Sequence, residues 1–543
     1  MDWTTATLSR VPDDQDAPIL IDTDRPERTI SWRQYNAAVR GIAAGLQAEG
    51  LQSQDCVALL CENDVYYHTL GHGVIAAGGI FCPMQTSEKP AEITHQLKAA
   101  SVKWMFSSPR LFDLALQSAK AAGLPESQVV LYDPPGVDAG SNVQSRLSRM
   151  LPADVSSWRN PNIDKDPKSI MALRMFSSGT TGVPKAANIS HAALLSQLHQ
   201  PGFYLEKSSA NSTRAFVCIP LYHATSLMAY NNAVAGPQTT CITAEKGTGD
   251  VPRLFDLIRE FKITATLLPP RFLMPFANCK REGTRPAEDV VNLETVRIGG
   301  SAINADHIKV FRDTFPRCNL LVGYGTTEVG TIAIITDAND FVPGRVGHIM
   351  PDAQVKFIDP TTLEEVPHGE VGEICVRGPQ IFSGYHDNPE GNASSLLPDS
   401  AGDWFRTGDK GYFDDASSQI AITGRYKEIF KVASKEVSPD EVENVLMQLP
   451  AIEDAAVTPV PARHDENELE VRAYVVPKDK SAPIAAEDVA IFVAEKLSRH
   501  KVPTGGVIFC DQIPRNAMKK VVRRKLNELV ALKGSREWLC VEH

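Results

Sequence analysis

The chain predicts an α/β protein with largely parallel sheets, and three observations carry that expectation. Residues 30 to about 135 alternate helical apolar spacing with short apolar strand-like runs. After a polar stretch at 134–167, apolar runs recur at 216–220, 263–268, 295–298 and 318–322, each followed by a turn signal and helix-like sequence. From Val355 the texture changes to short strands and turns, and past Gly424 the remainder reads as a compact unit of about 120 residues with a basic tail.

Taken in order, residues 32–46 carry apolar side chains at helical spacing, and Cys56-Val57-Ala58-Leu59-Leu60 reads as a buried strand. Residues 93–100 read as a helix. Residues 134–167, rich in Pro, Asp, Ser and Asn, read as a long connection. Ile170-Met171-Ala172-Leu173 and Ala186-Ala187-Asn188-Ile189 read as two short strands flanking a loop, and residues 371–378 as another strand. In the last unit Ser438 can cap a helix, Pro439 suits its first position, and Glu441 would complete a capping box.

With 543 residues the chain is long enough for about three to four structural units. A net charge of -11 argues against a general nucleic-acid binder, because phosphate backbones demand a basic face. The ten cysteines form no C-x-x-C pair, which suits a reducing cytoplasm rather than a disulfide framework or zinc site. No basic region followed by an apolar core opens the chain, so no secretory signal is expected, and no apolar run is long enough to insert in a membrane.

The densest chemistry lies in Ser177-Ser178-Gly179-Thr180-Thr181-Gly182-Val183-Pro184-Lys185. Hydroxyls, exposed backbone N–H groups and one lysine make a cradle for a polyphosphate, with the glycines allowing close approach. The loop lies between two strands and lacks the G-x-x-x-x-G-K-[ST] pattern, so it is not a Walker loop. This string resembles the phosphate-binding signature of the adenylate-forming superfamily, which includes acyl- and aryl-CoA ligases, luciferases and peptide-synthetase adenylation domains. Further motifs follow in that family's order.

The resemblance implies a large N-terminal domain, 1–423, of stacked α/β sheets plus a small barrel-like β region. A small mobile α+β C-terminal domain, 424–543, would swing about a hinge near Lys427. Gly323-Tyr324-Gly325-Thr326-Thr327-Glu328 would line the adenine and phosphates, with Glu328 as ligand for Mg²⁺ and Thr327 as a phosphate donor. Gly299-Gly300-Ser301-Ala302 would line adenine and substrate, and Pro220-Leu221-Tyr222-His223 would border the acid, with His223 beside its carboxylate. Asp409 would accept both ribose hydroxyls and Arg425 would support ribose and phosphate. Lys520, in Pro514-Arg515-Asn516-Ala517-Met518-Lys519-Lys520-Val521, falls at the catalytic lysine position. Its neighbours Lys519, Arg523, Arg524 and Lys525 read as a solvated basic run.

The implied reaction uses ATP to convert a carboxylic acid to an acyl adenylate, then transfers the acyl group to coenzyme A. The pattern is most similar to the 4-coumarate–CoA ligase and luciferase-like branch. Three positions depart from it: Ala186 and Lys519 replace glycines, and Ser434, in the Lys431-Val432-Ala433-Ser434 segment, replaces a glycine that lines the pantetheine tunnel in relatives. Two alternatives therefore stay open, a stand-alone enzyme loading an acyl or amino acid onto a carrier protein and a non-catalytic nucleotide-binding homologue.

Overall fold

The computed structural model describes residues 1–138, 147–151, 155, 158–177, 184–205, 214–227, 239–243, 251–268, 278–279, 283, 290–299, 303, 305–315, 318–426, 428–432, 435–463, 468–480, 484–515, 521–529, 532 and 535–537. Ser178, Gly179, Thr180, Thr181, Gly182, Gly300, Ser301, Lys427, Ser434, Lys519 and Lys520 lie outside the described residues. The chain divides into two compact units. One comprises Met1–Val355, Cys375–Arg406 and Ser417–Gln419, the other Lys356–Ile374, Thr407–Ala416 and Ile420–His543.

Among the described residues, the first unit carries a nine-stranded and a six-stranded sheet. The larger is ordered His348–Ile349, Gly330–Ile335, Asn319–Thr326, Thr295–Gly299, Ala265–Leu268, Arg214–Val217, Thr239–Ile242, Pro18–Asp22, Thr29–Ser31. The smaller is ordered Val129–Leu131, Val102–Ser107, Cys56–Leu60, Ile80–Pro83, Met171–Ser177, Lys185–Ser190. Interior pairs of both are parallel, as the βα alternation predicts, and antiparallel pairs are confined to edges. Strand Cys56–Leu60 is buried throughout because both faces of a parallel sheet are covered. Beneath the larger sheet Phe216, Phe255, Phe311 and Ile298 form one apolar cluster.

The helix Trp32–Ala48 starts on a capping box in which the Gln34 N–H donates to Ser31 Oγ and the Ser31 N–H donates to Gln34 Oε1. Its Gly45 is required by packing, since a Cβ there would lie 2.5 Å from Met150 Cγ. Met150 ends a short helix, Leu147–Met150, inside the stretch expected to be pure connection. A second unforeseen element is the helix Trp3–Leu8, capped by Asp2 and largely buried. The Trp3 N–H donates to His191 Nδ1 (3.2 Å). Thr7 Oγ1 donates to main-chain carbonyls and so receives the Nε2–H of His72, whose Nδ1 accepts from Tyr35 Oη (2.5 Å).

In the second unit, among the described residues, strands Ile452–Pro461, Leu469–Pro477 and Val507–Phe509 form a sheet covered by helices Pro439–Leu446 and Ala486–Lys496 around Val457, Val475, Val489 and Phe509. The expected texture of short strands past Val355 appears as Gln354–Ile358, Gly372–Arg377, Leu396–Leu397, Trp404–Asp414 and Gln419–Arg425, divided between the two units. Among the described residues no helix is long and apolar enough to cross a membrane.

Three expectations are corrected. The run at 318–322 does not end in a turn and a helix: the strand continues to Thr326 and folds back antiparallel onto Gly330–Ile335. The run at 216–220 leaves its sheet at Val217, before Pro220, which has no N–H for a ladder. The Ser438 box does not close. Ser438 and Pro439 hold their expected helix positions, but the Ser438 side chain makes no cap bond, and Glu441 accepts from Lys501 Nζ (2.6 Å) instead.

Burial holds His72 down to about 3 and His191 to about 4, below the ordinary 6.5. Both are therefore neutral when folded, and the unfolded chain takes up their protons first. Stability should fall as pH drops below about 6.5 and level off near 3 to 4. Urea midpoints measured across that range should show this slope, and His191→Asn should flatten part of it.

Candidate active site

The site is built on the hairpin Met171–Ser177 and Lys185–Ser190, whose last pair is Ser177 opposite Lys185. The two runs flanking the Gly/Thr-rich stretch thus form paired strands, as the sequence predicts. The other edge of Lys185–Ser190 is closed by a segment from far along the chain. The Asn188 N–H donates to Gly384 O (3.0 Å), the Ser383 N–H to Asn188 O (2.7 Å) and the His386 N–H to Ala186 O (2.8 Å). The pairing sets Ala187 opposite Tyr385, and Lys185 Nζ lies 5.0 Å from the centre of the Tyr385 ring, within cation–π range.

Tyr385 Oη donates to Glu328 Oε1 (2.8 Å), and the Phe382 N–H donates to Glu328 O (2.7 Å). Burial first, then the Glu328 carboxylate, pushes the Tyr385 phenol well above its ordinary range, so it stays a donor. Sequence reasoning missed Tyr385. Its signal lay in Ser383-Gly384-Tyr385: Gly384 sits at φ +97° and turns the chain into the hairpin edge.

Glu328, buried to 4% exposure, is held by the tight turn between Asn319–Thr326 and Gly330–Ile335. Thr326 pairs with Gly330. A Cβ on Gly325 would come 2.0 Å from Gly330 O, so only glycine fits. Gly323, Tyr324 and Thr327 lie on this strand and turn, and Gly299 pairs with Gly323 on the neighbouring strand. The buried Thr326 Oγ1 finds no hydrogen-bond partner among the described residues, the condition expected of a group that awaits a ligand. Lys185, Tyr385, Glu328 and the Gly323–Thr327 stretch are thus brought together.

Tyr222 and His223 lie apart from this cluster in chain terms, in the turn after Arg214–Val217. Their ring centroids are 6.4 Å apart. The turn is fastened by Asn63, a second residue missed by sequence reasoning. Asn63 Nδ2 donates to Ile219 O (3.0 Å) and Thr243 O (3.1 Å), while Oδ1 accepts from the Leu221 N–H (2.9 Å).

In the second unit Asp409 is almost fully buried and accepts from Arg425 Nε (2.7 Å). The Gly408 N–H donates to Glu373 Oε1, and the Asp409 N–H to Thr407 Oγ1. Gly424, at φ +153° beside Arg425, passes close to Ser438: a Cβ on Gly424 would lie 2.9 Å from Ser438 Oγ. Lys431 sits exposed on the strand Phe430–Val432, opposite Glu436.

Fold and site together define a ligand-binding α/β protein with a separate C-terminal unit. The AMP-binding enzyme family matches residues 9–386, and the AMP-binding enzyme C-terminal domain matches residues 441–520, so the chain belongs to the AMP-binding enzyme family. It is 31% identical to a phenylacetyl-CoA ligase of Aspergillus niger over 94% of this chain and 93% of that protein. It is equally 31% identical to a 4-coumarate–CoA ligase of Pinus taeda, over 97% and 94%. The ATP-bound MatB of Rhodopseudomonas palustris superposes with a TM-score of 0.82 at 27% identity, covering 97% of this chain and 99% of that one.

Tyr385→Phe removes the hydrogen bond to a buried carboxylate and should cost about 1–3 kcal/mol of stability. Urea unfolding of the variant checks this, and an unchanged midpoint would show that the Tyr385–Glu328 bond does not hold the turn.

Proposed function

We propose that this protein is an AMP-forming acid–thiol ligase, which activates a carboxylic acid with ATP and passes the acyl group to coenzyme A. The observation that carries the reading is the convergence of Lys185, Tyr385, Glu328 and the unpartnered Thr326 hydroxyl at the mouth of the Gly/Thr-rich hairpin. Membership of the AMP-binding enzyme family, and the CoA-ligase activity named for the Aspergillus and Pinus relatives, support it.

In the first half-reaction a carboxylate oxygen of the acid bonds to the α-phosphorus, the bond to the bridging oxygen breaks, and pyrophosphate leaves. Lys185 and the hydroxyls of Ser177, Ser178, Thr180 and Thr181, with Gly179 and Gly182 for close approach, hold the phosphates. Thr326 and Thr327 donate to phosphate oxygens, and Tyr324 with Gly323, Gly325, Gly300 and Ser301 frames the adenine. Asp409, oriented by Arg425, accepts from the ribose hydroxyls. Lys520 supplies a positive charge to the oxygen that gathers charge in the transition state. In the second half-reaction the sulfur of CoA bonds to the acyl carbon, AMP leaves, and the thiol proton passes to solvent. Lys431 lies on the segment proposed to border the incoming pantetheine. Tyr222, His223 and Gly299 border the acid, with His223 beside its carboxylate.

Mg²⁺ fits the site: it binds through one or two carboxylates plus substrate phosphates and keeps several waters, so it needs no protein cage. Among the described residues no cluster of three or more His, Cys, Asp or Glu side chains forms such a cage, and Glu328 is the residue that would hold the ion. Bound there, it would offset charge on the ATP phosphates. The two half-reactions are assigned to two orientations of a domain beginning near Gly424, hinged at Lys427. Eight of the cysteines among the described residues are free thiols, which suits a cytoplasmic enzyme.

ATP–pyrophosphate exchange across aromatic, medium-chain and long-chain acids tests the proposal, with aromatic acids leading the panel because a phenylacetyl-CoA ligase and a 4-coumarate–CoA ligase are among its relatives. Exchange with one acid class, and its CoA thioester by mass detection, is the expected result. Exchange without thioester would move the acceptor to a carrier protein and implicate Ser434. No exchange with any acid would favour a non-catalytic nucleotide binder. Lys520→Ala should lower adenylation by about two to four orders of magnitude, while thioester formation from supplied acyl-AMP survives. Equal loss of both steps would refute the role given to Lys520.

A further inference from the structure

Arg523 departs from the expectation that the basic residues around Lys520 are solvated, while Lys525 is exposed as expected. Its side chain is 19% exposed, and every guanidinium N–H finds a partner. Nε and Nη2 donate to Glu428 Oε2 (3.3 and 3.2 Å), and Nη2 also donates to Asp440 Oδ1 (3.3 Å). Nη1 donates to Glu443 Oε1 and to the carbonyl of Val457 (2.8 Å). Only a planar five-donor group meets this arrangement. A lysine offers three donors from one point.

The partners come from three places. Glu428 immediately follows Lys427, the residue assigned to the hinge. Asp440 and Glu443 lie on the helix Pro439–Leu446, and Val457 on the strand Ile452–Pro461. Burial pushes the carboxyls of Asp440 and Glu443 upward, and the Arg523 charge opposes that push on both. The cation therefore keeps three crowded acids together. Asp440 also feels Arg425 and Asp409, so the charge array continues to the pair proposed to hold the ribose.

On the other side of Lys520, Arg515 donates from Nε and Nη2 to both oxygens of Asp454 (2.9 and 2.6 Å). Arg515 and Val521 form an antiparallel bridge, and the Val522 N–H donates to Pro514 O (2.8 Å). Residues 514–515 and 521–522, which flank the Lys520 stretch, are thus paired to each other. Arg515 is fixed by Asp454 on one side of it, and Arg523 by its acids on the other.

We propose that Arg523 is a positioning residue for adenylation. It ties the paired residues 514–515 and 521–522 that flank Lys520 to Glu428, the residue after the hinge position. This rests on the ligase reading. It adds a residue whose contribution is confined to the half-reaction that uses Lys520.

The test compares Arg523→Gln and Arg523→Lys with the wild-type full-length chain. In the ligand-free protein, amide hydrogen exchange of peptides covering 514–522 and 425–432 should accelerate together in Arg523→Gln, by about tenfold or more, while those of 56–60 do not change. In catalysis, Arg523→Gln should lower kcat for ATP–pyrophosphate exchange by about tenfold to a hundredfold, with KM for ATP within about twofold. Thioester formation from supplied acyl-AMP should stay within about twofold, and Arg523→Lys should recover part of the loss. Equal loss of both half-reactions, or unchanged hydrogen exchange in the two segments, would overturn the proposal. If Arg523→Gln does not fold, Glu428→Gln replaces it, with the same split expected. Failure of the ligase reading is read separately, as wild-type protein that exchanges with no acid. The hydrogen-exchange arm still decides the clamp in that case.

Discussion

The first unit's site depends on how the strand Lys185–Ser190 is paired on both edges. One edge meets Met171–Ser177 and so fixes where the Gly/Thr-rich loop emerges. The other accepts the segment around Gly384, which is distant in sequence and carries Tyr385. Because side chains alternate along a strand, a slip of one residue on that second edge would turn Tyr385 to the opposite face. Three main-chain hydrogen bonds hold the register, and through it the phenol reaches Glu328 while its ring lies beside Lys185. A lysine, a phenol and a carboxylate from three parts of the chain are thereby set in order by backbone pairing.

The second unit solves a comparable problem with charge. Asp409 is buried with Arg425 as its partner, and Arg523 is buried among Glu428, Asp440 and Glu443. Removing one member of such a group leaves the rest uncompensated in a medium that solvates charge poorly, and this is why breaking a buried pair is costly. The arrangement specifies geometry more than it adds net stability. Apolar packing around Val457, Val475 and Phe509 supplies the latter.

Much of this was legible in the chain. Parallel strands announced themselves as unbroken apolar runs, and the pairing of Met171–Ser177 with Lys185–Ser190 followed from the two runs flanking the Gly/Thr-rich stretch. What stayed hidden was long-range. Nothing near Tyr385 or Asn63 declares a partner, since each acts on residues more than fifty positions away. Arg523 looked solvated because its three acids are scattered over 428–443 and only folding gathers them. The Gly-Tyr-Gly stretch was misread as a strand end because glycines usually signal turns. Here one of them instead admits the close approach of the facing strand. The capping box failed for a local reason: Lys501, sixty residues on, offers Glu441 a full charge where Ser438 offers a neutral N–H.

Asn63 fastens the turn bearing Tyr222 and His223 wholly through main-chain atoms of Ile219, Leu221 and Thr243. Such a fastening is blind to the side chains that project from the turn. Side chains on this turn can therefore be exchanged without redesigning the frame that presents them. If the turn borders the acid as proposed, substrate preference can change one side chain at a time while the frame stays fixed.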